Sequence, residues 1–234
     1  FMSKKTTKNI DTSNFIPSFF LIGYLCLGFV PNWEAVDKIA PQWLLMSILN
    51  TTSLGYILYF RNHFSIRITH TLTSALSYTY IGFIGWAALS YFYAINTTEV
   101  LVNITRQVNV LMMFIVMGIY IYNFKEKKNL VSYVIAAILS IEVYAVLNEA
   151  LLMINTNGFI SAGTLKGVTA NRNITAFSIA IKIPFVLFLI YKLSKPLFKI
   201  GLSGLVMLSI LCLSMVQSRA SFVALGFTFL SFLI

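Results

Sequence analysis

Residues 163–221 read GTLKGVTANRNITAFSIAIKIPFVLFLIYKLSKPLFKIGLSGLVMLSILCLSMVQSRAS, from Gly163 to Ser221. A polar patch from Gly167 to Asn173 opens into an apolar run broken by Lys182 and Pro184. A basic turn from Lys192 to Lys199 follows, then a second apolar run ending in Gln217-Ser218-Arg219-Ala220-Ser221. Each run approaches the roughly 20 residues of helix that cross a hydrocarbon core about 30 Å thick. The stretch therefore reads as a transmembrane helical hairpin, with two polar, arginine-bearing knots at its open end. Polar knots in a soluble protein are ordinary loops; in a membrane they call for a reason.

The rest of the chain agrees with a membrane reading. Of 234 residues 58% are hydrophobic and only 10% charged, against about 25% charged in soluble domains. The formal charge of +10 sits in short clusters between apolar runs, which is the pattern of cytoplasmic loops and not of a nucleic-acid-binding face. The expected spans are Phe15–Val30, Trp43–Phe60, Ser74–Ile95, Val108–Phe124, Leu130–Ile154, Ile174–Leu193, Ile200–Val216 and Ser221–Ile234. The fold expected is all-α, a polytopic bundle of about eight spans over residues 15–234, after a cytoplasmic segment over residues 1–14. Basic connections alternate along it: Lys4, Lys5 and Lys8, then Arg61–Thr73, Lys125–Asn129 and Lys192–Lys199. The amino terminus is thus expected inside, and Asn32–Gln42, Asn96–Gln107, Asn155–Asn173 and Gln217–Ser221 outside. Arg172 and Arg219 lie on the outer side, against the trend, while Trp33 and Trp43 flank the first outer loop.

Ionisable groups inside spans are costly and mark functional candidates. At 1.5 Å per residue, Glu142 lies about 18 Å from the inner end of its span and Lys182 about 12 Å from the outer end of the next. These depths coincide in a core of roughly 30 Å, so the two are expected to pair, either as a structural pin for helix register or as part of a proton or ion relay; the alternative is that they stay unpaired and line a cavity. Glu149, seven residues after Glu142, falls on nearly the same helical face and reads either as part of a polar stripe or as an interface residue. Pro184 removes a backbone hydrogen bond and should kink its span. Cys26 and Cys212 sit in apolar runs and read as small buried hydrophobes, and His63 and His70 as solvated residues of an inner loop. No metal-ligand spacing, Gly-rich phosphate loop or nucleophile elbow is present.

The segment Lys166-Gly167-Val168-Thr169-Ala170-Asn171-Arg172-Asn173-Ile174 resembles the outer-face motif of the O-antigen ligase and Wzy-type polymerase superfamily. In that family a Gly and an Asn-x-Asn precede a span ending near a proline, as Pro184 does here. The next span of the family ends in a polar residue followed by Ser-Arg-Gly/Ala, and Gln217-Ser218-Arg219-Ala220 is similar. The likeness is specific over 163–234 and only topological before it; the family commonly has Pro or Lys where Arg172 stands. The resemblance implies an inverting, metal-independent glycosyltransferase at the outer face of a bacterial inner membrane, with no cofactor. Its donor would be a glycan on an undecaprenyl-diphosphate carrier. Its acceptor would be the lipid A-core sugar in a ligase, or another carrier-linked chain in a polymerase. Arg219 corresponds to the arginine that holds the carrier diphosphate; the family's catalytic histidine lies on a large outer loop further along. The expectation is accordingly that this chain is an amino-terminal part, with no catalytic residue before Ile234 and no activity alone.

The residues support the same role for Arg219 independently. A guanidinium is a planar, permanently charged fork suited to phosphate oxygens. Arg219 lies about 28 Å along its span from Ile200, where a lipid diphosphate would be. Ser218 can cap the following helix, whose free N–H groups and dipole favour an anion; Asn171 and Asn173, beside Arg172, offer the same at the earlier helix. The competing structural reading is that each arginine merely snorkels to headgroups. From another functional class, a secondary transporter would need internal repeats and more intramembrane charge than this sequence displays.

Overall fold

The computed structural model describes residues 12–31, 33–34, 37, 39–122, 125–160, 164–169 and 171–233. Lys4, Lys5 and Lys8, together with the side chains of Lys125, Lys127 and Arg219, lie outside the described residues. The described chain is helical: α1 (Thr12–Leu25), α2 (Ala40–Tyr59), α3 (Arg61–Leu72), α4 (Ala75–Leu89), α5 (Thr97–Ile121), α6 (Lys125–Asn157), α7 (Arg172–Lys192), α8 (Pro196–Val216) and α9 (Arg219–Leu233). Short 3-10 turns occur at Cys26–Phe29, Ser90–Phe92 and Gly167–Thr169. Among the described residues, four segments are long and apolar enough to cross a membrane: Thr97–Ile121, Lys128–Thr156, Arg172–Lys192 and Pro196–Val216. The pair α2 and α3, bent by 116°, makes a fifth if taken as one broken span. The other expected spans correspond to shorter helices. Both α4 and α9 have 15 residues, about 22 Å at 1.5 Å per residue.

The chain divides into two compact units, Phe1–Lys128 and Asn129–Ile234. In the first, α5 is the hub against which α1, α2, α3 and α4 pack. Val116, Ile119 and Tyr120 of α5 are buried, and Tyr120 stacks on Phe20 at 5.9 Å and meets Phe64 edge-on at 6.1 Å. A polar seam runs beside these rings. Tyr24 Oη donates to Asn50 Oδ1 (2.8 Å), and the Asn50 amide donates to the Asn109 carbonyl (2.9 Å). Asn50 is 1% exposed, so its amide needs such partners; an unmade hydrogen bond there would cost about 1–3 kcal/mol.

Two expected loops are helical instead. Asn96–Gln107 was expected as a connection, but Asn96 caps α5 by accepting the Glu99 amide at 3.2 Å, and the helix runs on from Thr97. At 25 residues α5 is about 37 Å long, so hydropathy marks its apolar part and misses its polar first turns. The expected connection Arg61–Thr73 is α3 (Arg61–Leu72) and its C-cap, with His63 and His70 exposed on the helix and His70 against Tyr122 at 4.3 Å. There Phe64 and Thr71, seven residues apart, are the buried positions. Thr71 faces Gly118 so closely that a Cβ at 118 would meet its Cγ2 at 2.8 Å. Cys212 is buried as expected but Cys26 is exposed, since its position in an apolar run does not fix which face of the run it occupies.

The second unit is built around α7, which packs on α8 and α9. Its buried residues Thr175, Ala176, Ile179, Ala180, Ile183, Val186 and Leu189 recur every three or four positions, forming one continuous stripe. Leu139, Val143 and Val146 of α6 and Leu213 and Val216 of α8 close the same core. The helix assignment of α7 continues through Pro184 without a break.

Candidate functional site

Both polar knots are built by helix ends. Before α7, Asn171 adopts an extended backbone (φ −137°, ψ 119°). Its Oδ1 accepts the amides of Asn173 (3.0 Å) and Ile174 (3.4 Å), which are orphaned at a helix start. Asn171→Ala should destabilise the protein by about 1 kcal/mol while Asn171→Ser stays near neutral. Thermal unfolding in detergent checks this, and equal melting of the alanine variant and the parent would show the cap to be idle.

The segment leading into this cap is held from below. Glu149 Oε2 accepts the backbone amides of Lys166 (2.9 Å) and Gly167 (2.8 Å). Thr175, 2% exposed, donates to the Lys166 carbonyl, and its Oγ1 lies 2.7 Å from that of Thr169. Gly167 has φ +55°, and a Cβ there would come within 3.0 Å of Thr175 Cγ2 and Val146 Cγ2. Glycine is thus needed twice over, for the left-handed backbone and for the close approach. Leu165 beside it is fully buried and anchors the loop in the core.

The second knot is a two-residue connection between α8 and α9. Gln217 ends α8 in the left-handed region (φ 54°, ψ 41°), its amide returning to the Leu213 carbonyl at 3.1 Å. Ser218 precedes the first residue of α9 and is 7% exposed; Ser221 is 2% exposed. The two interlock, with Ser221 Oγ donating to Ser218 Oγ (3.1 Å) and the Ser221 amide to the Ser218 carbonyl (3.2 Å).

These knots line one cleft of about 1050 Å³, just above the roughly 300–1,000 Å³ typical of small-ligand sites. Arg172 and Asn173 come from α7; Gln217, Ser218 and Ser221 come from the α8–α9 junction. Phe177, Ser214, Ala220, Phe222 and Ala224 complete it. No carboxylate is among these lining residues, and Arg172 adds a positive charge. Two helices begin at the cleft; Asn171 already takes the amides of Asn173 and Ile174, and the Ser218 carbonyl that of Ser221, so what the helix starts add is their partial positive charge. The arrangement suits an anion with an apolar attachment. Phe177 and Phe222, 57% and 41% exposed, offer ring surface beside the polar groups. Asn171 shapes the turn without lining the cleft. Arg219 lies between two lining residues, Ser218 and Ala220, though its side chain lies outside the described residues.

The Glu142–Lys182 pair lies within the same unit and is not among the residues lining this cleft. Lys182 Nζ contacts both carboxylate oxygens of Glu142, at 2.8 and 2.9 Å. Ser178 Oγ donates to Glu142 Oε1 at 2.8 Å and also contacts Lys182 Nζ. Side-chain exposure is 16% for Lys182 and 8% for Glu142. Ser178 was not singled out by sequence reasoning, yet its position four residues before Lys182 places it on the same helical face. Ser214 and Thr175 were also missed. Each is a polar residue one turn from a knot, and that spacing is the signal that could have found them. Among the described residues no group of His, Cys, Asp or Glu is arranged to hold a metal ion.

Comparison with protein-family models, with curated proteins and with solved structures gave no match.

Proposed function

We propose that the chain carries the lipid-diphosphate site of an integral membrane glycosyltransferase similar to O-antigen ligases. In this reading it transfers a glycan from an undecaprenyl-diphosphate carrier to a lipid A-core acceptor at the periplasmic face of a bacterial inner membrane. A polymerase using a carrier-linked acceptor would employ the same cleft. The observation that carries the proposal is the convergence of the two knots on one cleft whose lining, among the described residues, holds Arg172, two buried serines and no carboxylate. A diphosphate needs positive charge and hydrogen-bond donors, and its polyprenyl chain needs an apolar wall. Arg219 is the proposed diphosphate ligand, with Ser218, Asn171, Arg172 and Asn173 in support.

The topology proposed with it has eight spans and a cytoplasmic amino terminus. The shorter helices α1, α4 and α9 serve as spans, α1 and α4 being extended by their 3-10 turns. Two contacts support the grouping of connections on a common side. Arg106 and Asp37, from two connections expected outside, pair at 2.8 Å. Lys192 and Asn129, from two expected inside, meet at 2.7 Å.

The test is binding of farnesyl diphosphate to the full-length protein in detergent, by titration calorimetry. Arg219→Ala should weaken it by about 10- to 150-fold, the equivalent of one hydrogen-bonded charge pair at about 1.5–3 kcal/mol, and should stop glycan transfer with membrane insertion intact. Unchanged affinity and unchanged surface glycan in that variant would refute the assignment.

A further inference from the structure

The first unit holds a cleft of its own, about 420 Å³, that the diphosphate site does not use. It lies where the polar first turns of α5 rise beside the start of α2. Its lining includes Asp37, Trp43 and Ser47 on one side, and Thr98, Thr105 and Arg106 on the other. Arg106 Nη2 donates to Asp37 Oδ2 at 2.8 Å, and its guanidinium lies 5.7 Å from the centre of the Trp43 ring. Trp43 stays partly exposed and lines the cleft beside this cation.

The hydrogen-bonding state of each group defines what the cleft can accept. Ser47 Oγ donates to the Trp43 carbonyl at 2.9 Å and receives the Asn109 amide at 2.9 Å. Thr105 Oγ1 donates to the Leu101 carbonyl at 2.8 Å. Both hydroxyl protons are thus directed into their own helices, leaving oxygen lone pairs for an incoming donor. Asp37 Oδ1 takes the Ile39 amide at 3.1 Å and still has acceptor capacity. Arg106 retains N–H donors beyond the one bound to Asp37. Among the described lining residues the charged groups are Asp37 and Arg106, which pair and offset each other, and a phosphate would meet Asp37 at close range.

An uncharged ligand rich in hydroxyl groups, with one apolar C–H face, matches every one of these features. We propose that this cleft binds a saccharide, one or two rings of a glycan. The ring C–H face lies on Trp43, whose π-cloud is negative, while hydroxyls donate to Asp37, Ser47 and Thr105 and accept from Arg106. The proposal stands on the first unit alone and does not depend on the diphosphate reading of the other cleft.

Saturation-transfer difference NMR tests it, on the full-length protein in nanodiscs of phosphatidylethanolamine and phosphatidylglycerol, which contribute no sugar. The probes are the methyl glycosides of glucose, galactose, N-acetylglucosamine and rhamnose. At least one should receive saturation at its ring C–H protons. Trp43→Leu and Asp37→Asn should each weaken it about tenfold. Asp37 is half exposed and surface ion pairs of this kind contribute little to folding, so the Asp37→Asn variant remains folded even if the Trp43→Leu variant does not. Absence of transfer to all four probes, or transfer undiminished in Asp37→Asn, overturns the proposal. So does displacement of the bound glycoside by inorganic phosphate, which would make the cleft an anion site.

Discussion

Lys182→Met is expected to destabilise the protein by about 3–5 kcal/mol, the cost of leaving a buried partner charge uncompensated. The methionine occupies nearly the same volume, so packing changes little and the loss is that of the cation facing Glu142. Adding Glu142→Gln to the same chain should return most of the stability. A neutral amide beside Ser178 can still accept the hydrogen bond that Ser178 now gives to Glu142. The double-mutant cycle, read by thermal unfolding in detergent, isolates the coupling between the two side chains. Additive losses would deny it. The doubly substituted protein also separates the two readings of the pair. If it only pins α6 to α7, the stable double variant keeps its activity. If activity falls while stability holds, the pair does more than set register.

Glu149→Ala carries the next largest effect, a loss of about 2–4 kcal/mol. Two backbone amides, those of Lys166 and Gly167, lose a charged acceptor together, each such bond being worth about 1.5–3 kcal/mol. Partial exposure of the carboxylate lets water replace part of it. Glu149→Gln keeps one acceptor oxygen and should cost about 1 kcal/mol. The alanine variant should also bind farnesyl diphosphate more weakly, because the loop it releases leads directly into the Asn171 cap and the cleft. Unfolding and calorimetry on the two variants check both statements. Equal stability of the alanine variant and the parent would mean that Thr175 and Leu165 hold the loop without the carboxylate.

Hydropathy located the apolar helices well and their ends poorly. The boundary expected at Val108 fell eleven residues inside α5 because Asn103, Thr105, Arg106 and Gln107 interrupt the apolar run without interrupting the helix. A transfer scale reports where a helix meets hydrocarbon, whereas the hydrogen-bonded ladder continues as far as a cap such as Asn96 allows. α3 was missed for a related reason. Its apolar residues are too few to mark a span, but Phe64 and Thr71 still fit the surface of α5. At the site, charge was the readable signal. Glu142 and Lys182 could be matched from depth alone, since an ionised group in an apolar run has few ways to be satisfied. The role of Glu149 was not readable, because its partners are backbone amides and those look the same in every sequence. Gly167 likewise needed coordinates: the neighbours that forbid a side chain there, Val146 and Thr175, lie on two different helices.

The connection at Gln217 has a consequence for how α9 is aimed. With Leu213, Ser218 and Ser221 all engaged across the junction, α8 and α9 share no slack, and Gln217 sets a rotational phase between them. An α-helix turns by about 100° per residue. One residue inserted after Gln217 would therefore act as a gear slipped by one tooth. It would leave α9 intact along its length and roll Ser221 and Phe222 off the cleft. Deleting the same residue would roll them the other way. The face that α9 presents is in this sense counted in residues from Leu213.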